Sequence, residues 1–292
     1  MYKTTHERGL GEMANIYIAK LNVNEKIYEV YKNEIQLSKL LENLYYSLDD
    51  KKILKNEFNE VRYKIVDIEK DPNNFIISGR FLRIFKSQTQ DFYDSNKDTV
   101  VEKALGDKAE YVPFTFYVKR EIIAFVPKQT FTRKQFLKIF KEFITYSYPE
   151  IGEVNLQIKY DNTSIDKKFK KIKVLKNVEV VIVPPNGDED LWEGLKNVER
   201  DLKETEAKKM SISLEATKKK PLKKTSNLVK GFLKFVKNQY GELEAIGYDA
   251  QNNEVNIDTI NDEKLIQKYK IRESEKNSPN EIKEMLKESN VV

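Results

Sequence analysis

Residues 113–128 read PFTFYVKREIIAFVPK, residues 132–147 read TRKQFLKIFKEFITYS, and residues 153–159 read EVNLQIK. The first stretch holds two β-branched and aromatic runs, 114–118 and 121–126, on either side of Lys119 and Arg120, which is the pattern of a hairpin. In the second, Thr132 and Gln135 stand three apart and predict a capping box. Phe136, Leu137, Phe140, Phe143 and Ile144 follow at helical spacing, so one face of that helix is predicted to be buried. In the third, Val154, Leu156 and Ile158, with Tyr160 beyond them, alternate as a strand does. A strand pair, a helix and a strand in succession predict an α+β fold, its mixed or antiparallel sheets each covered by helices on one side.

Upstream, residues 15–20 alternate as a strand, and 23–48 carry Ile35, Leu37, Leu40, Leu41 and Leu44 on a roughly helical face. Residues 62–69 and 74–85 form a second predicted hairpin around Asp71, Pro72 and Asn73. The polar stretch 86–111, with Gln88, Thr89, Gln90, Ser95 and Asn96, reads as a long loop and hinge. Downstream, 173–183 reads as a strand stopped by Pro184 and Pro185. Asp188 then opens a helix with Leu191, Leu195, Val198 and Leu202 inward. Residues 210–214 alternate as a strand, Thr225 or Ser226 caps a helix, and 242–248 with 254–257 make a last hairpin. Pro279 suits the first turn of a terminal helix carrying Ile282, Met285 and Leu286. Two lobes are expected: residues 1–110, and residues 111–260 bearing the basic surface. A charged tail with a short helix, 261–292, follows.

Composition narrows the chemistry. The 292 residues contain no cysteine, so disulfides, thiolate nucleophiles and Cys-ligated zinc are excluded. The single histidine, His6, lies in a polar leader where a disordered or surface role is expected, so imidazole-based catalysis is disfavoured. No apolar run is long enough for a membrane helix, and the leader lacks the apolar segment of a secretory signal, so a cytoplasmic protein is expected. No glycine-rich phosphate loop is present, and no cofactor is expected. Carboxylates offer weak nuclease patterns only, Glu153 with Lys159 and Asp67 with Glu69 and Lys70.

Charge is the feature that points to a partner. Residues 207–240 hold ten lysines and one acid, Glu215, a local charge of +9 against +5 for the whole chain. Three groups stand out. Lys167, Lys168, Lys170, Lys171, Lys173 and Lys176 run from a predicted loop into a strand, with Lys171 and Lys173 on one sheet face. Lys218, Lys219, Lys220, Lys223 and Lys224 occupy a loop broken by Pro221, and Lys230, Lys234 and Lys237 form a helical stripe. Each group alone reads equally well as a solvated face. Together they suggest a polyanion, held through its phosphates and not read base by base, because lysine lacks arginine's bidentate fork. The 16 Tyr and 15 Phe could stack on unpaired bases, but most fit buried faces; Tyr160 and the Lys119–Arg120 turn are the exceptions.

The stretches quoted above, together with KNVEVVIVPPNGDEDLWEGLKNVERDL (176–202) and KKMSISLEA (208–216), resemble the RexA-like family of phage-exclusion proteins and a related bacterial family of unknown function. The resemblance covers about residues 112–257 and lies in hydrophobic spacing more than identity. It implies a cytoplasmic homodimer that binds DNA without sequence preference in defence against phage, alongside a separate membrane or protein effector. The family's I-K-P-K is here Val183, Pro184, Pro185 and Asn186, without its lysine, which shifts the expected contact to 167–176 or the 218–224 loop.

The reading is therefore a non-enzymatic, sequence-neutral DNA-binding protein of an anti-phage system, favouring duplex, with RNA as a competing ligand. Two alternatives stand beside it: a metal-dependent nuclease using carboxylates, and an adaptor recruiting an effector through the acidic segment 262–292.

Overall fold

The structure, a computed structural model, describes residues 12–56, 60–86, 89–187, 189–217 and 219–289. The readings of His6 and its leader, of Asp188 as a helix start, and of Lys218 lie outside these residues.

The chain opens with β1 (Met13–Val23), then α1 (Ile27–Tyr31), α2 (Leu37–Ser47) and β2 (Leu54–Lys55). Four longer strands and a ribbon follow: β3 (Arg62–Asp71), β4 (Ile76–Phe85), the ribbon β5 (Thr89–Asp94) and β6 (Thr99–Ala104), β7 (Lys108–Tyr117) and β8 (Ile122–Phe125). Helix α3 (Arg133–Ser147) begins on the Thr132–Gln135 capping box and leads into β9 (Val154–Ile158). Apart from the β5–β6 ribbon, these strands form one antiparallel sheet in the order β14-β1-β8-β7-β4-β3-β2, where β14 is Lys268–Arg272 and β9 also pairs with β1.

That sheet is covered on both faces, which corrects the one-sided expectation. Alternation along its strands sends Ala19, Ile77, Phe114, Phe116, Ile123 and Phe125 to one side, where they meet Leu41 and Leu44 of α2 and Phe136, Phe140 and Phe143 of α3. Phe81 lies at the centre of this cluster, with ring centroids 5.0 Å from Phe140 and 5.2 Å from Phe143. The intervening residues Ile16, Ile18, Ile76, Tyr117 and Ala124 point the other way and are closed over by Ile282 and Leu286 of α7 (Pro279–Glu288). The terminal segment is therefore not a separate tail. It supplies an edge strand and the lid of a second small core.

A four-stranded antiparallel sheet, β11-β10-β12-β13, makes the rest. In chain order its elements are α4 (Asn162–Lys171), β10 (Val174–Ile182), α5 (Lys196–Thr205), β11 (Met210–Glu215), α6 (Asn227–Lys237), β12 (Gly241–Tyr248) and β13 (Glu254–Asp258). Leu175, Val178, Val180, Ile182, Leu243 and Ala245 face the helices, and their apolar cluster is continuous with the phenylalanine core. The expected boundary near residue 110 is absent, because β4 pairs with β7 along its whole length. The expected loop 86–111 is, apart from the undescribed 87–88, the β5–β6 ribbon and the start of β7.

Polar contacts lock the two sheets together. Asn186 is 8% exposed; its Nδ2 donates to the Leu21 carbonyl (3.0 Å) and its Oδ1 accepts from the Val23 N–H (2.9 Å). It thus substitutes for a strand partner at the end of β1. Tyr28 donates to the Ala207 carbonyl (2.7 Å), and the Asn22 amide to that of Gln239 (2.9 Å).

Candidate nucleic-acid interface

The lysines of 167–171 sit on a helix, not in a loop. Asp161 caps α4, its Oδ1 accepting from the N–H groups of Thr163 (3.0 Å) and Ser164 (3.2 Å). These bonds and the hydroxyl of Ser164, first among the causes, hold its carboxyl below the usual range. Lys168, Lys170 and Lys171 fall in the last turn, where the helix dipole favours cations. Lys173 lies in the turn before β10, so it shares no sheet face with Lys171. Lys176 is the bulged residue between Leu175 and Asn177.

Four of the candidate lysines are already engaged. Lys168 pairs with Asp262 and also donates to the Asn256 carbonyl (3.0 Å). Lys237 pairs with Asp166 of α4, and Lys234 donates to the Asp190 carbonyl with Glu193 3.7 Å away. Two thirds of the expected helical stripe is thus neutralised, leaving Lys230 exposed. Lys224 is part-buried; its Nζ donates to the carbonyls of Phe169 and Ile172 at the end of α4 and lies 4.7 Å from the Phe169 ring centroid. It is a helix cap and not a surface cation.

Lys224 also draws the remaining groups to one corner. Leu222 donates its N–H to the Leu175 carbonyl (2.9 Å), fastening the lysine loop beside the start of β10. Lys170, Lys171, Lys173, Lys219, Lys220 and Lys223 are all exposed there, with Lys167 one turn back on α4. None of them forms an ion pair with a described acid, although Asp249 lies close enough to Lys171, and Asp161 to Lys167, for their carboxyls to feel those charges. Burial, and then repulsion from Lys173, pushes the Lys224 ammonium below its ordinary 10.5.

A depressed lysine has a definite sign in linkage. Below its folded pKa the fold carries the full cost of the buried charge. Between that value and 10.5 the unfolded chain binds more protons, so stability rises with pH. Comparing thermal melts at increasing alkaline pH, the Lys224→Met variant should show a smaller rise than the parent over this window. Equal pH slopes would place Lys224 in water.

The outer face of the four-stranded sheet has the opposite sign. Glu179, Glu215, Glu242 and Glu244 project from it, with Glu179 directly across from Glu244. Ser211 and Ser213 fill the positions between on β11, so this is no aromatic stacking platform. Tyr160 is 2% exposed and accepts from the Gln157 amide (2.6 Å), and the Lys119 ammonium sits 3.4 Å from the Phe75 ring centroid. Tyr160 and Asn186 belong to the packing, whereas Lys119 and Arg120 stay exposed at their turn.

The carboxylate patterns do not assemble. Asp67 sits in a bulge of β3 and pairs with Arg80, while Glu153 pairs with Lys208. Among the described residues no group of three or more acids or histidines is placed to hold a metal ion. No described helix is long and apolar enough to cross a membrane.

No curated protein matches the chain. The model of the family described as "Domain of unknown function (DUF4747)" matches residues 14–287, nearly the whole length, and the chain belongs to that family.

Proposed function

We propose that this protein binds nucleic acid, duplex DNA foremost, by laying the corner formed by the end of α4, the start of β10 and the 219–223 loop against the phosphate backbone. The observation that carries the reading is the convergence of six exposed lysines, none paired with a described acid, around a part-buried seventh whose ligands are carbonyls and not carboxylates. Such a corner repels its own charges and is relieved by a polyanion. The absence of arginine between 201 and 271 favours backbone contact over base reading. The acidic outer sheet face would be repelled by phosphate, which orients the molecule with its helices toward the ligand. The resemblance to phage-exclusion proteins supplies the biological setting: a cytoplasmic sensor or sequestering agent for phage DNA, acting with a separate effector.

A salt titration tests this. With about six phosphates neutralised, the logarithm of affinity should fall against the logarithm of salt with a slope near −5, and equally for unrelated duplex sequences. Single-stranded DNA should bind more weakly, for want of exposed stacking rings at that corner. Affinity that ignores salt, or that follows one sequence, removes the proposal.

A further inference from the structure

The β5–β6 ribbon has no use in the polyanion reading. Its strands pair from Thr89 opposite Ala104 to Asp94 opposite Thr99, and no third described strand joins them. Phe92 is 37% exposed, Tyr93 67%, Val100 64% and Leu105, just past β6, 42%. Two-stranded ribbons are marginal alone, and free edges with apolar neighbours invite another strand. Four acids (Asp91, Asp94, Asp98, Glu102) against two lysines (Lys97, Lys103) make the ribbon a poor surface for phosphate.

We propose that this ribbon is a dimerisation arm, on which two copies of the chain join β6 to β6, antiparallel, about a two-fold axis at Val101. The occupant follows from charge. A seam between two β5 strands would gather four carboxylates and no base, whereas β6 is neutral, carrying Glu102 beside Lys103. The register follows from symmetry. In an antiparallel pair related by a two-fold axis, residues facing each other have the same parity, so the axis passes through a residue. An axis at Glu102 or Lys103 would set like charges face to face. At Val101 it sets Val101 against its counterpart, Val100 against Glu102, and Thr99 against Lys103. Because Phe92 lies opposite Val101 within each ribbon, a row of Phe92, Val101, Val101 and Phe92 then crosses the joined sheet. The contact uses the same patch on both copies and closes on itself.

The test reads mass in the absence of nucleic acid, so it stands or falls separately from the polyanion proposal. By analytical ultracentrifugation the parent should be a dimer. Val101→Lys and Val101→Asp, each placing like charges on the axis, should weaken association at least about tenfold. A 1:1 mixture of the two variants places opposite charges there and should recover the dimer, with unchanged melting of the body in every case. A monomeric parent, variants that remain dimeric, or a mixture that fails to associate would each overturn the arm.

Discussion

Replacing Lys170, Lys171, Lys173, Lys219, Lys220 and Lys223 by glutamate should lower duplex affinity by about a thousandfold or more at low salt. It should also flatten the salt slope by about 5, since each lost phosphate contact removes about 0.9. All six are exposed and lack described ionic partners, so the fold loses little and the melting temperature should hold. The matched control is Lys168, Lys234 and Lys237 changed together to alanine. These cations are already paired with Asp262, engaged by Asp190 and Glu193, and paired with Asp166. Their loss should cost some stability and change affinity by less than about threefold, because their charge is offset before any ligand arrives. Fluorescence anisotropy on one labelled duplex across a salt series measures both sets. If the control weakens binding as much as the six-site variant, the interface is a diffuse field and not this corner. Lys224 must stay intact in the experiment, because a glutamate there would face the Phe169 and Ile172 carbonyls and unseat the end of α4.

The distinction between free and engaged lysines was not legible in the sequence. The carboxylates that neutralise Lys168 and Lys237 lie 94 and 71 residues away, and only the fold brings them in. Local signals fared better. The capping box at Thr132, the serine before α6 and the proline at the start of α7 all mark helix ends where they were expected. Helix α4 escaped because only Ile165 and Phe169 mark its inner face, and its lysines dilute a periodicity that short. Strand β14 escaped for another reason. Lys268, Tyr269, Lys270 and Ile271 do alternate, but five residues with three cations become a strand only through pairing with β1. The ribbon was hidden because its polar residues resemble a loop, and its cross-strand pairs carry the order.

The same tertiary dependence gives the other large effect. Deleting residues 262–292 should yield an insoluble or loosely packed chain, not a folded binder lacking a recruiting tail. The deletion removes β14 from the edge of β1 and strips Ile271, Ile282 and Leu286, which are 4%, 0% and 0% exposed, from a core containing Ile16, Ile18, Ile76 and Tyr117. Each of the three lost side chains contributes about 1.5–3 kcal/mol by burial. Together they amount to roughly 5–9 kcal/mol, comparable with the 5–15 kcal/mol that typically separates a folded domain from its unfolded state. A milder version keeps the comparison quantitative. Leu286→Ala should cost about 2–5 kcal/mol and lower the melting temperature by about 3–8 °C, with duplex binding unchanged at temperatures where the protein is folded. The adaptor reading requires the reverse: a truncated chain that melts like the parent and still binds duplex. That result would mean that α7 does not close over the outer face of β1, β7 and β8, and the lid assignment would fall with it.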